Sequence, residues 1–292
     1  MMMIKRIGFL GPAGTFSHEA TEQYLLTSLS SSNHAGIRLL DYPTIPSLVA
    51  AIGDRTLDEA VLPVENSWEG TVNLALDSLA AEVNTWIKAE VIVPVHHHLL
   101  AGEPIAVTDI VKVVSHPQAL AQCRRFLAQH LPHADWVSAN STAEAAKLVT
   151  GKRGWAAIGS KRAAEFHHLL IIASNIQDCD VNETRFVVLA QSDSEFTGND
   201  KTSLLFSAAH RPGSLYEILA EFARRGINLC KIESRPAKRR LGEYVFFVDV
   251  EGHRVEPAVA EAIEAIRART GFLRVLGSYP RFGGSGPSDP ID

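Results

Sequence analysis

The sequence predicts an α/β fold in two parts, and three observations carry that expectation. Short apolar runs alternate with capped or amphipathic segments from Ile4 to Leu189, the pattern of strands set between helices. Polar residues recur where those runs end: Thr15, Glu65-Asn66-Ser67, Ser115-His116 and Gly159-Ser160. After a polar stretch from Gln191 to Asp200 the order changes to strand, helix, two strands, helix, strand.

Ile4 to Leu10 is a short apolar strand, followed by Gly11-Pro12-Ala13-Gly14-Thr15-Phe16-Ser17 and a helix from about His18 to Leu29. A strand, a glycine-rich turn and a helix N-terminus together can hold an anion, because glycine admits close approach and the first N–H groups of a helix are unpaired. A tight turn with no ligand fits the same residues. No Gly-Lys-Ser/Thr and no Gly-x-Gly-x-x-Gly is present there, so neither nucleotide-binding pattern applies. Arg38 to Asp41 is the second strand, Ile45 to Gly53 a helix, and Asp58 to Val64 a central strand ending in Glu65-Asn66-Ser67. A helix follows from about Thr71 to Ala80, with Val72, Leu76 and Leu79 near helical spacing. Glu65 beside a buried strand end has to be paired or solvated. Asn66 and Ser67 suit either a helix cap or a binding role.

Glu90 to His98 reads as one strand. His96, His97 and His98 then alternate faces and cannot share a metal ion; one packs inward. Val111 to Val114 is a strand, and Ser115 with Gln118 forms a capping box for a helix through about Gln129. His116 beside it is either a surface residue or an acid–base group. Ala134 to Val137 is a strand, and Ser141 with Glu144 repeats the box before a helix from Ala143 to Thr150. Trp155 to Ile158 is a strand, Gly159-Ser160-Lys161 opens a helix toward His167, Leu170 to Ile176 is a strand, and Asn175 to Asn182 is a loop.

Asn182-Glu183-Thr184-Arg185 then opens into the buried strand Phe186-Val187-Val188-Leu189. Thr184 offers a hydroxyl able to give or take a proton, and Arg185 a planar fork matched to a carboxylate. High strand propensity and a solvated edge explain the same two residues. In open α/β sheets ligands lie off the carboxyl ends of strands, so the polar strand ends predict one cleft for a small anion, lined by several helix N-termini. Beyond the linker come strands at Thr202 to Ala209, Ile227 to Ser234, Tyr244 to Val250 and Leu273 to Tyr279, with helices from Ser214 to Arg225 and Pro257 to Thr270. Lys238 to Gly242 reads as a hairpin-like connection. This is the ferredoxin-like βαββαβ order. Arg281 to Asp292 is Gly/Pro/Ser-rich and reads as a flexible tail.

Composition narrows the function. The 292 residues predict about two domains, with 46% hydrophobic and 21% charged residues, as in ordinary globular proteins. The net charge of −5 comes with no basic tract, which argues against nucleic acid. Cys123, Cys179 and Cys230 fit neither a disulfide framework nor a zinc site, so a reducing cytoplasm and no metal are expected. No run approaches ~20 apolar residues, and the amino terminus has no secretory h-region, so no membrane association is expected.

Four runs in order, Gly11 to Ser17, Pro63-Val64-Glu65-Asn66-Ser67, Ser115-His116-Pro117-Gln118-Ala119-Leu120 and Thr184-Arg185-Phe186, resemble the prephenate dehydratase family essentially end to end. Residues 201–280 resemble an ACT domain, with Glu233-Ser234-Arg235-Pro236 intact and Gly213-Ser214-Leu215 departing from the family's Gly-Ala-Leu in its middle residue. The small Ser214 should keep the tight turn. The resemblance implies a two-lobed, periplasmic-binding-protein-like catalytic region at 1–194, with lobe 1 at about 1–79 and 176–194 and lobe 2 at about 80–175, then the ACT domain and a tail at 281–292. It implies loss of CO2 and water from prephenate to give phenylpyruvate, without a cofactor. By the same likeness Thr184, Arg185 and Glu65 are catalytic, and Gly14, Thr15, Phe16, Asn66, Ser67, Ser115, Gln118 and Phe186 bind substrate. Gly213, Ser214, Leu215, Glu233, Ser234 and Arg235 are expected to bind L-phenylalanine as feedback effector, in a homodimer or homotetramer with ACT–ACT contacts. The rivals are an arogenate dehydratase and a non-catalytic amino-acid-binding regulator.

Overall fold

The computed structural model describes residues 4–28, 36–82, 84–238 and 242–283. Three expectations fall partly outside them: Leu29 at the end of the first helix, 239–241 of the expected hairpin connection, and 284–292 of the tail. In chain order the elements are β1 (Lys5–Leu10), α1 (Phe16–Ser28), β2 (Ile37–Tyr42), α2 (Ile45–Gly53), β3 (Glu59–Asn66), β4 (Gly70–Thr71), α3 (Asn73–Ala81), β5 (Trp86–Pro94), β6 (His98–Ala101), β7 (Lys112–Ser115), α4 (Pro117–Gln122) and α5 (Arg124–His130). There follow β8 (Asp135–Ser138), α6 (Thr142–Val149), β9 (Trp155–Gly159), α7 (Lys161–His167), β10 (Leu170–Ala173), β11 (Glu183–Ala190), β12 (Asp200–Ser207), α8 (Ser214–Ala223), β13 (Leu229–Pro236), β14 (Tyr244–Glu251), α9 (Pro257–Arg267) and β15 (Leu273–Pro280).

Three sheets organise these elements. The first runs β2-β1-β3-β11-β5, with β4 paired to β3; the second runs β10-β6-β9-β7-β8. The chain builds the first sheet, leaves for the second after β5, and returns through β11, which gives the expected two α/β lobes. The second sheet is mixed: β7 pairs in parallel with β8 and β9, whereas β6 pairs antiparallel with β9 and β10. Leu99, Ile110, Leu127 and Ile158 form one buried cluster with this sheet, and Leu100, Val114, Ala145 and Ala157 another. The third sheet, β13-β14-β12-β15, is antiparallel throughout, the ferredoxin-like strand order. Its strands pack Leu204, Phe206 and Val248 against Ile218, Phe222, Ile263 and Ile266 of α8 and α9.

The chain forms two compact units, Met1–Leu48 with Val61–Val72 and Ile92–Phe186, and Val49–Ala60 with Asn73–Val91 and Val187–Asp292. These bounds cut across the domain limits expected from the sequence. Among the described residues no helix is long and apolar enough to cross a membrane.

Local structure departs from expectation at four places. The segment after Val64 does not run into a helix: β3 extends through Asn66 and folds back on β4, with Glu65 opposite Thr71, and Gly70 at φ +79° makes the return. The helix starts only at Asn73. The single strand expected from Glu90 to His98 is two, because Pro94 at its end has no N–H for a ladder. His97 and His98 are both buried, so the stretch holds two inward histidines rather than one. Finally, the helix expected to reach Gln129 breaks at Cys123. Asp178 supplies both sides of that break: its N–H donates to Gln122 O, and its carboxylate accepts from Arg125 N at 3.0 Å, as an N-terminal cap supplied from a distant loop.

One glycine of the third sheet is fixed by close approach. Gly277, in the bulged part of β15, has φ +156°, and a Cβ there would lie 2.1 Å from Ile87 O. Backbone cannot yield as a side-chain tip can. We expect Gly277→Ala to lower the melting temperature by roughly 5 °C or more, measured by differential scanning calorimetry. An unchanged transition would show that β15 does not pass so close to β5.

Candidate active site

The N-terminal unit contains a cavity of about 510 Å³ whose wall includes Thr15, Phe16, Asn66, Gln118, Thr184 and Phe186. Strand periodicity explains the choice at β11. Thr184 and Phe186 are two apart and share the cavity side, whereas Arg185 between them faces away. Arg185 meets Glu65, Nη1 to Oε2 3.9 Å, and neither lines the cavity. Glu65 stands next to Asn66 on β3, and β3 neighbours β11 in the sheet, which brings Glu65 to Arg185.

The hairpin turn fixes Asn66. Its Oδ1 accepts from Trp68 N and Glu69 N, both at 2.9 Å, an Asx turn rather than a helix cap. The Nδ2 is thereby aimed at the start of β11, where it donates to Thr184 Oγ1 at 2.9 Å, and to Asn182 Oδ1, just before the strand, at 2.8 Å. Ser67 clamps the same corner: its N–H donates to Glu183 O, and its hydroxyl accepts from Glu183 N, both at 2.9 Å. Ser67 therefore holds the two strands together and does not line the cavity.

Gly14 and Ser115 are likewise absent from the cavity wall. Gly14, at φ +88°, donates its N–H to His18 Nδ1 at 3.1 Å, and its carbonyl accepts from Ser160 Oγ at 3.3 Å, so it anchors the loop. Ser115 is fully buried and donates to Ile158 O at 2.7 Å. The cap of α4 is His116, whose Nδ1 accepts from Gln118 N at 3.3 Å.

Among the described residues no Lys or Arg lines the cavity; its ionisable side chains are Glu69 and His116. Positive potential comes instead from helix ends. Thr15 Oγ1 turns back to donate to Leu10 O, so it does not cap the first amides of α1, whose Phe16 and Ser17 line the wall. Ser141 caps α6 by accepting from Glu144 N at 2.9 Å, and Ser141 and Thr142 line the wall too. Each helix start carries a partial positive charge of about half a unit. The sequence contained Ser141 as a capping residue, but nothing local to it signalled that α6 opens on the same cavity as α1.

In the C-terminal unit the expected effector residues separate. Ser214 and Leu215 line a cavity of about 450 Å³ with Tyr244 and Phe246, and Gly213, at φ +80°, starts α8 beside it. Ser214 Oγ donates to Ala209 O at 2.5 Å. Glu233 and Ser234 do not line that cavity. Arg235 is held by α3: Nε and Nη2 lie 3.1 and 3.2 Å from the two Asp77 oxygens, and Nη1 donates to Asn73 Oδ1 at 2.8 Å.

A prephenate dehydratase family model matches residues 7–194, and an ACT domain model matches residues 202–268. The chain is 40% identical over 284 residues to a prephenate dehydratase of Amycolatopsis methanolica, covering 96% of this chain and 90% of that one. A solved structure of prephenate dehydratase from Arthrobacter aurescens in complex with L-Phe superposes with a TM-score of 0.84 at 34% identity, covering 94% of this chain and 90% of that one. A structure described as a novel type of quorum quenching acylase superposes with a TM-score of 0.83 at 29% identity, covering 96% of this chain and 99% of that one.

Three buried histidines of the N-terminal unit are held below their ordinary value of 6.5, each first by burial: His18, His97 and His98. The folded chain thus prefers them neutral, and acid protonates the unfolded chain first. Stability is whole above 6.5 and is lost as pH falls through the depressed values. The melting temperature should drop as pH falls below about 6.5, and the drop should be shallower in His98→Asn, which keeps an acceptor for Asn175 N and has no proton to take up. Equal slopes in the two proteins would remove His98 from the acid response.

Proposed function

This chain belongs to the prephenate dehydratase family and carries an ACT domain behind its catalytic region, and from that premise we propose that it converts prephenate to phenylpyruvate, CO2 and water, with L-phenylalanine as feedback effector. The observation that carries the reading is Thr184 on the cavity wall with Asn66 Nδ2 donating to its oxygen at 2.9 Å. A threonine hydroxyl alone is a weak acid. A donor on its oxygen stabilises charge developing there and leaves its own proton free for the departing hydroxide.

The bonds balance without a redox partner. The bond from the ring to its carboxylate breaks, and the carboxylate leaves as CO2. The electron pair completes the aromatic ring and expels hydroxide from the opposite carbon. The Thr184 proton leaves with it as water, and solvent restores that proton. Phe16 and Phe186 supply apolar walls for the ring, and the starts of α1 and α6 suit the pyruvyl carboxylate. Arg185 and Glu65, paired with each other, brace β11 against β3 in this reading. The reaction as written calls for no cofactor.

We take 1–194 as the catalytic domain and 201–280 as the ACT domain, which the matched ranges 7–194 and 202–268 support. The effector reading draws support from the L-Phe complex of the Arthrobacter aurescens protein. Dimer or tetramer formation through ACT–ACT contacts, and a cytoplasmic location, belong to the same proposal; free Cys123, Cys179 and Cys230 suit a reducing compartment.

Phenylpyruvate absorbance after incubation with prephenate tests the reaction. Thr184→Ala should lose about 10²–10⁴-fold in kcat with KM nearly unchanged; a variant of equal kcat removes Thr184 from the chemistry. Preference for arogenate, or release of acyl groups without phenylpyruvate, would replace the substrate. Saturating L-phenylalanine should depress the rate of the full chain, and a rate and KM indifferent to it would sink the regulatory half.

A further inference from the structure

Behind Thr184 a row of polar side chains runs from half-buried Asn66 to the buried Asn182, Gln122 and His97, and the backbone fixes the direction of every hydrogen bond in it. Asn66 cannot turn its carboxamide over, since its Oδ1 already accepts from Trp68 N and Glu69 N. Its Nδ2 therefore donates to Asn182 Oδ1 at 2.8 Å. Asn182 accepts at that oxygen, so its Nδ2 is the donor to Gln122 Oε1 at 3.1 Å. That leaves Gln122 Oε1 as the acceptor for His97 Nε2 at 2.9 Å, so the ring carries its proton on Nε2. The opposite end of Gln122 agrees: Nε2 faces the Glu69 carboxylate at 3.5 Å. His97 is 3% exposed, and its Nδ1 is buried with no hydrogen-bond partner among the described residues, as a lone pair can be and an N–H cannot without loss. Phe16, which lines the cavity, packs edge-on against the ring at 5.8 Å between centroids.

We propose that His97 is a positioning residue for the dehydration, acting through Gln122, Asn182 and Asn66 so that Thr184 Oγ1 receives a hydrogen bond and keeps its own proton for the substrate. The inference rests on the dehydratase reading above. Without the His97 N–H the Gln122 amide is free to reverse. A reversed Gln122 presents N–H to Asn182 Nδ2, and Asn182 then reverses against the locked Asn66. Donor meets donor, and the Asn66 amide moves away from Thr184. His97 touches no reacting atom in this scheme. Its contribution is the aim of an amide three residues along the chain of contacts. Burial, partly offset by the bond to Gln122, holds the ring below its ordinary titration range, which suits a group that has to stay neutral.

The test uses the full chain. His97→Leu should lower kcat for phenylpyruvate formation about ten- to a hundredfold while KM stays within about twofold. His97→Gln, whose amide can donate to Gln122 again, should recover most of that loss. Imidazole ¹⁵N shifts in histidine-labelled protein, with the His97 signals assigned by their disappearance from His97→Gln, should report a neutral ring protonated at Nε2. An unchanged kcat in His97→Leu, a loss confined to KM, or a ring protonated at Nδ1 overturns the proposal. Should His97→Leu fail to fold, a His97→Gln variant as slow as Thr184→Ala overturns it too. A wild-type chain that makes no phenylpyruvate refutes the dehydratase reading instead, and the ring tautomer then still decides whether His97 terminates the chain as described.

Discussion

Two backbone N–H groups, Trp68 and Glu69, hold the Asn66 carboxamide in one orientation, and the cavity wall depends on that restraint. The restraint exists because β3 turns back at Gly70 instead of running into a helix. A neutral hydrogen bond of this kind contributes only about 1 kcal/mol net to stability, whereas leaving a buried partner unmet costs about 1–3 kcal/mol. The bonds therefore stabilise the fold modestly but penalise any other arrangement more strongly. Asn66 is the point where β3 and β11 are read together, since the same amide bridges Asn182 and Thr184.

The absence of Lys and Arg from the described cavity wall suits the proposed chemistry. A fixed cation beside the ring carboxylate would stabilise the very charge that decarboxylation must remove. Helix ends offer a weaker, directional positive potential, about half a unit each. They can orient a carboxylate at the far end of a substrate while the reacting end stays among Phe16, Phe186 and Val95. The one arginine the motif supplies, Arg185, sits with Glu65 instead.

The ACT domain shows a similar diversion of charge. Arg235, the cation of the Glu-Ser-Arg-Pro run, is engaged by Asp77 and Asn73 of α3, and Lys238 Nζ reaches the same carboxylate at 2.8 Å. Burial pushes the Asp77 carboxyl upward, but hydrogen bonds from Arg235 and Lys238 outweigh it, and the group lies below its usual range. The Arg235–Asp77 pair is partly covered, whereas Lys238 is exposed and adds little. A forked arginine on one carboxylate fixes geometry more than it adds energy, so this contact sets where the end of β13 lies against α3.

The sequence by itself determined the α/β alternation, the ferredoxin-like order of the last six elements, the family, and Thr184, Asn66, Thr15, Phe16, Gln118 and Phe186 as cavity residues, because apolar periodicity and short motifs are local properties. It also pointed to Arg185, Glu65, Gly14, Ser67 and Ser115, which stand beside the cavity residues in the chain but do not line the wall. Alternation along β11 puts Arg185 and Thr184 on opposite faces, and the cavity takes the Thr184 side. Only the tertiary structure decided the rest. The hairpin at Gly70, the break at Cys123 under Asp178, and the meeting of His97, Gln122, Asn182 and Asn66 join residues far apart in the chain. Hydrogen bonds act over about 3 Å, and nothing in the order of residues states which distant donors and acceptors packing will bring that close.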